Sequence, residues 1–188
     1  MEELISQNET GIIMIPDISG FTDFVINTNI FIGKYITENL LKSIIDSNNL
    51  SFKVSEIEGD AVLFYKYRKI PSFDDTLAQI VVMYKNFKKE LGRLSLELTM
   101  EISLSLKIIV HYGSFTQYTI GRFKKLYGAT VVEAHQMLKN HMAKFPPYAL
   151  FSEAFLKANF EQPAQSIIEY DNCDNCIYLA KIGYIHYL

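Results

Sequence analysis

The stretch that most constrains the fold of this chain is residues 11–22, which read GIIMIPDISGFT. Residues 11–15 are apolar throughout, a pattern typical of a strand that is buried on both faces. Pro16 has no backbone N–H, so we expect strand pairing to stop or bulge just before Asp17. Asp17 is therefore predicted to lie in a short turn, marked by Gly20, that follows a buried strand.

A second aspartate, Asp60, has a similar setting later in the chain. It ends a Glu-Gly-Asp turn between strand-like runs at 50–57 and 61–67, which predicts a β-hairpin. One long predicted helix separates the two aspartates, with Thr22 or Asp23 as its N-cap and an Asn-Asn pair at its end. Its apolar residues recur at helical spacing: Val25, Ile32, Ile36, Leu40, Ile44 and Ile45.

The remaining pattern continues the alternation of strands and helices. A helical stripe begins at Pro71 and reaches Leu94, and residues 103–111 alternate as a strand with one buried face. The order β-α-β-β-α-β is that of a ferredoxin-like α+β fold, with helices on one face of the sheet. Further along we expect a strand at 115–120, a basic loop at 122–125, a helix at 131–142, a strand near 149–150, a helical turn from Glu153, and strands around Ile167 and Ile177.

Length and composition fit a single domain over residues 1–188, with a core at 11–142 and a C-terminal extension at 143–188. Apolar residues make up 49% of the chain and charged residues 21%, an ordinary globular composition. The formal net charge of −3 argues against broad binding to nucleic acid or anionic membranes, because both need a positive field. We see no secretory signal or membrane span, so we expect a cytoplasmic protein.

The two cysteines, Cys173 and Cys176, form a lone CxxC motif. A thioredoxin-like motif would open a helix after the first strand, and a zinc site would need two further ligands. This pair lies in a turn-rich segment between two predicted strands. Reduced structural thiols are therefore the favoured interpretation.

The predicted topology brings the two aspartates together. In a βαββαβ sheet the first and third strands are usually central neighbours, so Asp17 and Asp60 should meet at one edge. Two adjacent carboxylates repel unless a cation lies between them, and Mg²⁺ or Mn²⁺ with a polyphosphate meets that need. Residues 20–22 would offer backbone N–H groups to phosphate oxygens. Taken singly, each aspartate is also an ordinary turn residue.

Four segments in the same order resemble motifs of the class III nucleotidyl cyclases. Residues 17–22, DISGFT, resemble the D-I-x-G-F-T signature, and residues 59–61, GDA, resemble the second metal motif. Residues 110–113, VHYG, resemble the I-H-x-G strand end, and residues 128–131, GATV, resemble the start of the G-x-x-V-N-x-A-x-R segment. The helix EAHQMLKN at 133–140 is similar to one in a bacterial family of uncharacterised cyclase-like proteins.

The resemblance implies a head-to-tail homodimer with composite active sites and ATP or GTP as substrate. One subunit holds two Mg²⁺ or Mn²⁺ ions over the triphosphate, the ribose 3′-oxygen attacks the α-phosphate, and pyrophosphate leaves. The resemblance assigns metal binding to Asp17, Ile18 and Asp60. It assigns phosphate binding to Ser19, Gly20, Phe21 and Thr22.

The half of the site that the second subunit should supply departs from the family pattern. Val132 stands at the position of the family's asparagine and cannot hydrogen-bond a ribose. Gln136 stands at the position of the family's arginine and has no charge to stabilise the transition state. The base-recognition positions hold Glu56, in place of the usual lysine, and Ala129. Lys139, one turn from Gln136 on the same helical face, is a candidate substitute for the arginine. The other nearby cations are Arg122, Lys124 and Lys125.

The sequence therefore favours a cyclase-homology domain that keeps its metal site and has weak or absent cyclase activity. The alternative is an inactive module that dimerises and signals through a partner without nucleotide turnover. If catalysis persists, the resemblance implies a phosphorus-oxygen lyase of the adenylate or guanylate cyclase type.

Overall fold

The computed structural model describes residues 9–139 and 146–159 in full and residues 176–180 as backbone. These parts of the chain form one seven-stranded sheet with helices packed against it. None of the helices they contain is long and apolar enough to cross a bilayer. The elements in chain order are β1 (Glu9–Ser19), α1 (Phe21–Asn27), α2 (Ile30–Asp46), β2 (Lys53–Glu58), β3 (Ala61–Tyr67), α3 (Phe73–Leu98), β4 (Ser105–Ile120), β5 (Phe123–Tyr127), α4 (Ala129–Leu138), β6 (Tyr148–Ser152), α5 (Glu153–Asn159) and β7 (Cys176–Ala180).

The sheet has the strand order β2-β3-β1-β4-β6-β7, and β5 pairs with the end of β4. The pairs β2–β3, β3–β1 and β1–β4 are antiparallel, whereas the pairs β4–β6 and β6–β7 are parallel. The predicted ferredoxin-like α+β core with added C-terminal strands is confirmed. The predicted β2–β3 hairpin is also confirmed, with β2 beginning at Lys53.

Each face of the sheet carries its own apolar core. On one face α2 and α3 pack over alternate β1 residues that include Ile12 and Met14. On the other face α4 and β5 pack over Ile13 and Ile15. The core helices α2 and α3 thus share one face, whereas α4 lies on the opposite one. Because Asp17 follows Ile15 by two residues in the same strand, it lies on the α4 face.

We expected pairing to stop or bulge just before Asp17; β1 instead continues through Pro16 to Ser19, and only its pairing with β3 is interrupted there. Against β4 the register is continuous along the whole strand. Against β3 the register runs to Met14 and resumes at Asp17, opposite Ala61. β1 is an inner strand with a neighbour on each side. Its pairing with β4 keeps it extended through Pro16, although its pairing with β3 is interrupted there.

The single long helix expected after the first strand is two helices. α1 begins after Gly20, whose left-handed φ of 87° makes it the N-cap in place of Thr22 or Asp23. Thr28 is extended, and the Asn29 side chain accepts hydrogen bonds from the first amides of α2. Asn29 therefore starts a new helix by capping it. The buried residues of α2 are Gly33, Ile36, Leu40 and Ile44, whereas Val25 and Ile32, expected on the same stripe, are exposed.

The two strands expected at 103–111 and 115–120 form one strand, β4. Gly113 lies within the strand and makes no turn. A Cβ added at Gly113 would lie 2.4 Å from Thr130 Oγ1, so this glycine permits the close approach of α4 to the sheet.

The segment expected as a basic loop at 122–125 is mostly strand. Gly121, with a φ of 58°, and Arg122 form a tight hairpin turn. Lys124 and Lys125 then pair with β4 as part of β5. α4 follows at once, beginning two residues before the expected start.

The expectations for the C-terminal region are met in part. The strand near 149–150 and the helical turn after it are β6 and α5, and the strand around Ile177 is β7. α4 ends at Leu138, with Lys139 as its C-cap, so the expected end at 142 is wrong. The strand around Ile167 and Cys173 of the CxxC motif lie outside the described residues.

Candidate functional site

The structure brings Asp17 and Asp60 to the same end of β1 and β3. Asp17 lies opposite Ala61, the first residue of β3, which directly follows Asp60. The backbone N–H of Ile18 donates to the carbonyl of Asp60 at 3.3 Å. This bond holds the β2–β3 turn, with Gly59 at a φ of 60°, against the end of β1.

A third charged side chain, Lys107 of β4, completes the cluster and was missed by the sequence reasoning. It lies directly opposite Asp17 in the register, and its Nζ is 3.1 Å from Asp17 Oδ1. The same Nζ donates to the carbonyl of Leu138, at the end of α4, at 3.4 Å. Only 16% of the Asp17 side chain and 21% of the Lys107 side chain are exposed. We call Asp17, Asp60 and Lys107 the carboxylate edge.

A signal for Lys107 was present in the sequence. It is the charged residue within the otherwise apolar run 106–110, on a strand expected to have one buried face. A lysine at such a position is rarely buried without a partner. Finding that partner required the register between β1 and β4, which sequence spacing alone did not provide.

The carboxylate edge combines two carboxyl groups with one ammonium group, so its negative charge is not fully balanced. The pKa of Asp60 is raised to about 6, first by burial and then by the neighbouring Asp17 carboxylate. A hydrogen bond from its own backbone N–H and the Lys107 ammonium oppose the rise. A further cation beside Asp60 would favour its ionised form.

The donors at this edge suit a partly hydrated hard cation. Within the fully described ranges, no group of three or more histidine, cysteine, aspartate or glutamate side chains could hold a metal ion. Mg²⁺ is usually bound by one or two carboxylates, with waters and substrate phosphates completing its shell. Asp17 and Asp60 meet that requirement. Ile18 offers only its backbone here, because its side chain is buried in the core under α2.

The loop at residues 19–22 follows Asp17 at the same edge. Gly20 has a φ of 87°, and a Cβ added there would lie 3.1 Å from the carbonyl of Ser103. Both the backbone conformation and the available space therefore require glycine. Ser19 and Phe21 are half-buried and Thr22 is exposed, and α1 begins without a side-chain cap.

The residues expected to act in the partner's site lie on α4. Ala129, Val132 and Gln136 have exposed side chains, with 57% of Val132 accessible. Lys139 follows the last turn, where its N–H donates to the carbonyl of Gln136 at 3.1 Å, and its side chain is exposed. We call these four residues the α4 surface. Lys139 supplies its only charge.

Glu56, at the base-recognition position on β2, forms an ion pair with Lys125 of β5. The Glu56 side chain is 17% exposed, and the bond to Glu56 raises the pKa of Lys125. Lys125 is therefore engaged, which argues against it as a substitute for the missing arginine. Arg122, another candidate, lies over the ring of Phe123 at 5.3 Å.

Three contacts fix α4 to β4. Thr130 Oγ1 donates to the carbonyl of Ser114 at 2.8 Å, and Lys107 holds the other end of the helix. Between them the buried His111 places Nε2 2.9 Å from Glu133 Oε2. Burial lowers the pKa of His111, against the opposing effect of the Glu133 carboxylate. The position of the α4 surface relative to the sheet is therefore well determined.

Exposed apolar side chains lie on β2 and on the β4–β5 hairpin, the two elements that the Glu56–Lys125 pair joins. The exposed fraction is 59% for Phe123, 64% for Ile120 and 68% for Tyr127. Clusters of this kind often mark interaction surfaces. We call the following residues the apolar face: Val54, Ile57, Ile120, Phe123 and Tyr127.

A family model described as a protein of unknown function, DUF2652, matches residues 37–145, more than half of the chain. The chain belongs to the DUF2652 family. The matched region contains Asp60, Lys107 and α4 and begins after the loop at 19–22. No curated protein matches this DUF2652 chain.

The fold of the DUF2652 chain is that of class III adenylyl and guanylyl cyclase domains. The guanylyl cyclase Cya2 has a TM-score of 0.63 and 16% identity, over 80% of this chain and 78% of that one. The adenylyl cyclase CyaB from P. aeruginosa has a TM-score of 0.57 and 13% identity, over 70% and 71% of the two chains. At such low identities, the similarity establishes the fold alone.

A third similar structure is that of a protein described as ATP-binding. It is a class III adenylyl cyclase-like ATP-binding protein from Pseudomonas aeruginosa, with a TM-score of 0.65 and 16% identity. The alignment covers 80% of the DUF2652 chain but 34% of that protein. The chain therefore spans about a third of the length of this relative.

Proposed function

We propose that this DUF2652 protein is a cyclase-homology domain that binds a divalent metal ion together with ATP or GTP and has weak or absent cyclase activity. The observation that carries the proposal is the juxtaposition of Asp17 and Asp60 at one edge of a class III cyclase fold. The glycine-dependent loop that follows Asp17 supports it. The extent of the domain over residues 1–188 and its cytoplasmic location stay predictions.

The residues of the carboxylate edge would divide the binding between them. Asp17 and Asp60 would hold Mg²⁺ or Mn²⁺ through their carboxylates, beside the backbone of Ile18. When bound, such an ion neutralises phosphate charge and orients the triphosphate. Residues 19–22 would bind phosphate oxygens through backbone N–H groups.

Turnover is expected to be weak because the α4 surface lacks the groups that the reaction needs. Val132 cannot position a ribose hydroxyl by hydrogen bonding, and Gln136 offers no positive charge as negative charge develops at phosphorus. Lys139 is the remaining candidate for that charge. Val132 and Gln136 also favour the second candidate function, an inactive dimerisation and signalling module.

We further propose a head-to-tail homodimer, because class III cyclase sites of this kind are composite. The apolar face supports the proposal, since it would be covered in such a dimer. Glu56 and Ala129 of the second copy would then be the base-side positions.

The proposal is tested by measuring nucleotide binding and cyclic nucleotide formation in the same samples. Purified protein is incubated with ATP or GTP and Mn²⁺, and the variants D17N and D60N are compared with wild type. D46N, which removes an exposed charge at the end of α2, is the matched control. We expect nucleotide binding that needs Mn²⁺, little cyclic product, loss of binding in D17N and D60N, and no change in D46N.

Two results would redirect the proposal. Abundant cyclic product that disappears in D17N and D60N would establish an active cyclase despite the altered α4 surface. Absence of both nucleotide and Mn²⁺ binding at millimolar concentration would exclude the metal site and leave the dimerisation module.

A further inference from the structure

A groove of about 600 Å³ runs along α2, on the face of the sheet opposite α4. Val25 of α1 and Thr28 of the link between the helices line it on one side. Four of the α2 residues that line it follow one another at spacings of four, three and four, and we call them the α2 seam: Ile30, Lys34, Thr37 and Leu41. Two helices that pack along their length meet through residues with this alternating spacing.

Exposed apolar side chains border the groove at the junction of α1 and α2. Ile26, Ile30 and Phe31 are the most exposed of them, with 80% of Phe31 accessible. Together with Val25 they expose roughly 500 Å² of apolar surface, and the largest apolar patch on a typical monomer is about 300–600 Å². Patches of this size often mark interaction surfaces.

Two opposite charges lie at the middle of this surface. Lys34 belongs to the α2 seam and Glu38 lines the groove beside it, and both are exposed. Neither side chain forms a hydrogen bond or an ion pair with another residue of the described part of the chain. The two are one turn apart, but lysine precedes glutamate, which is the less favourable order for an ion pair within one helix. Each charge is therefore available to a partner.

A second copy of α2, packed antiparallel, matches this surface in both shape and charge. When Ile30 of one copy lies level with Leu41 of the other, the two ends of the seam are apolar on both sides. The same register places Lys34 within one residue, about 1.5 Å along the helix axis, of Glu38 of the second copy. A two-fold axis repeats this pair, so both lysines and both glutamates find a partner. A lysine at one position of a helix seam is a known way to fix such a register.

The size and charge of the surface favour a protein partner over a membrane. A standard protein interface buries about 800 Å² per partner, and the apolar patch alone supplies more than half of that. A bilayer with anionic lipids attracts basic segments. Here Asp23 and Glu38 lie on the same two helices, and the net charge of the chain is −3.

We propose that the groove along α2 is a self-association interface, in which the α2 helices of two copies pack antiparallel across a two-fold axis and Lys34 of each copy pairs with Glu38 of the other. The interface is separate from the apolar face and involves no residue of the carboxylate edge. The inference therefore goes beyond the proposed function and does not depend on metal or nucleotide binding. With both interfaces formed, the protein would assemble beyond a dimer.

The test is sedimentation velocity of the full-length protein in an F123E background, where a charge in the apolar face removes the other proposed association. F123E alone should still form a dimer. K34E and E38K, each added to F123E, should raise the dissociation constant at least about tenfold, because each replaces two attractive pairs with two repulsive ones. The combination K34E/E38K exchanges the charges and restores both pairs, so its dissociation constant should return to within about threefold of that of F123E.

K42E is the matched control. Lys42 is an exposed lysine of the same helix that does not line the groove. Its reversal changes the net charge by the same amount as K34E, and the dissociation constant should be unchanged. A dimer recovered in K34E/E38K also shows that these substitutions leave the fold intact.

Three results would overturn the inference. F123E that is monomeric at all accessible concentrations would exclude the interface. K34E/E38K that dimerises no better than the single variants would exclude the antiparallel pairing of Lys34 with Glu38, and a groove that binds a different protein or a bilayer would give this result. K42E that weakens the dimer as much as K34E does would show a general effect of charge. The proposed function is tested separately, by nucleotide binding in D17N and D60N, and its failure would leave this interface in place.

Discussion

The carboxylate edge and the α4 surface lie on the same face of one sheet, yet they differ in how their residues are engaged. At the carboxylate edge Asp17 and Lys107 form an ion pair with mostly buried side chains, and Asp60 lies in the adjoining turn. On the α4 surface Ala129, Val132 and Gln136 are exposed. Under the proposed function, the carboxylate edge would supply the metal-binding half of a composite site, whereas the α4 surface lacks the asparagine and arginine that the resemblance assigns to the other half.

The proposed function therefore assigns binding and turnover to separate parts of the fold. The carboxylate edge is fixed by strand ends and by a hairpin turn, so it forms within one chain. The α4 surface is fixed just as firmly, through Thr130, His111 and Lys107, but apart from Lys139 it presents apolar and neutral groups. If turnover is weak as proposed, the cause would be the chemistry of these side chains, because the position of the helix is well determined. Variants of the two regions should therefore have different consequences.

The largest effect is expected for D17N. Loss of groups that only support a metal ligand typically lowers metal affinity about 10- to 100-fold, so loss of a ligand should lower Mn²⁺-dependent nucleotide affinity at least about 100-fold. Q136A, on the α4 surface, should change the affinity by less than about twofold. Fluorescence titration with a labelled nucleotide measures both. Equal losses in the two variants would break the distinction between the regions.

The next effect is expected for F123E, which places a charge in the apolar face. If this face is the dimer interface, burying an unpaired carboxylate there should weaken dimerisation about 30-fold or more. Sedimentation velocity measures the dissociation constant. L96E is the control, because Leu96 is 84% exposed on α3. A wild-type protein that is monomeric at all accessible concentrations would exclude a composite site.

A smaller effect is expected for G113A, which tests how α4 is seated. The added methyl would collide with Thr130 Oγ1, so we expect a loss of about 1–2 kcal/mol in the free energy of unfolding. The loss should shrink in the T130A background, which removes that oxygen. Chemical denaturation measures both values. G92A, where nothing lies within 4 Å of an added Cβ, should be neutral or slightly stabilising.

The smallest effect is a pH dependence of stability in metal-free protein. The pKa of Asp60 is about 6 when folded and lies near 3.8 when unfolded, so the folded state holds this proton more tightly. The resulting stabilisation is full below pH 4 and is lost as the pH rises through 6. The side chain of D60N stays neutral at every pH. The free energy of unfolding of D60N relative to that of wild type should therefore increase by about 1 kcal/mol between pH 4 and pH 7, after allowance for solvent screening.

Denaturation in the presence of a chelator measures this difference. D46N controls for the loss of one acidic side chain at an exposed site. If the free energies of unfolding of D60N and wild type differ by the same amount at every pH, the assigned environment of Asp60 is contradicted.

Much of the fold could be predicted from the sequence because apolar periodicity and turn residues report local structure directly. The β3 bounds and the β2–β3 hairpin followed from this pattern, and so did the meeting of Asp17 with Asp60. The expectations failed where a neighbour in space decided the outcome. Pro16 does not end β1 because β4 continues to pair with it, and Gly113 is a packing glycine because Thr130 lies against it.

The contacts of the site could be predicted less well, because they join residues that are far apart in the chain. Lys107 meets Asp17 only through the β1–β4 register. The pair of Glu56 and Lys125 was hidden because the segment after Arg122 was expected to be a loop. The break between α1 and α2 had a local signal in Asn29, an effective N-cap residue that the apolar spacing overshadowed.

Anomalous diffraction from crystals grown with Mn²⁺ and a non-hydrolysable ATP or GTP analogue would locate the metal ion and the triphosphate together. We predict a manganese peak between the carboxylates of Asp17 and Asp60, with phosphate oxygens in contact with the metal and with the loop at 19–22. A triphosphate bound elsewhere, or a manganese peak away from these carboxylates, would contradict the proposed site.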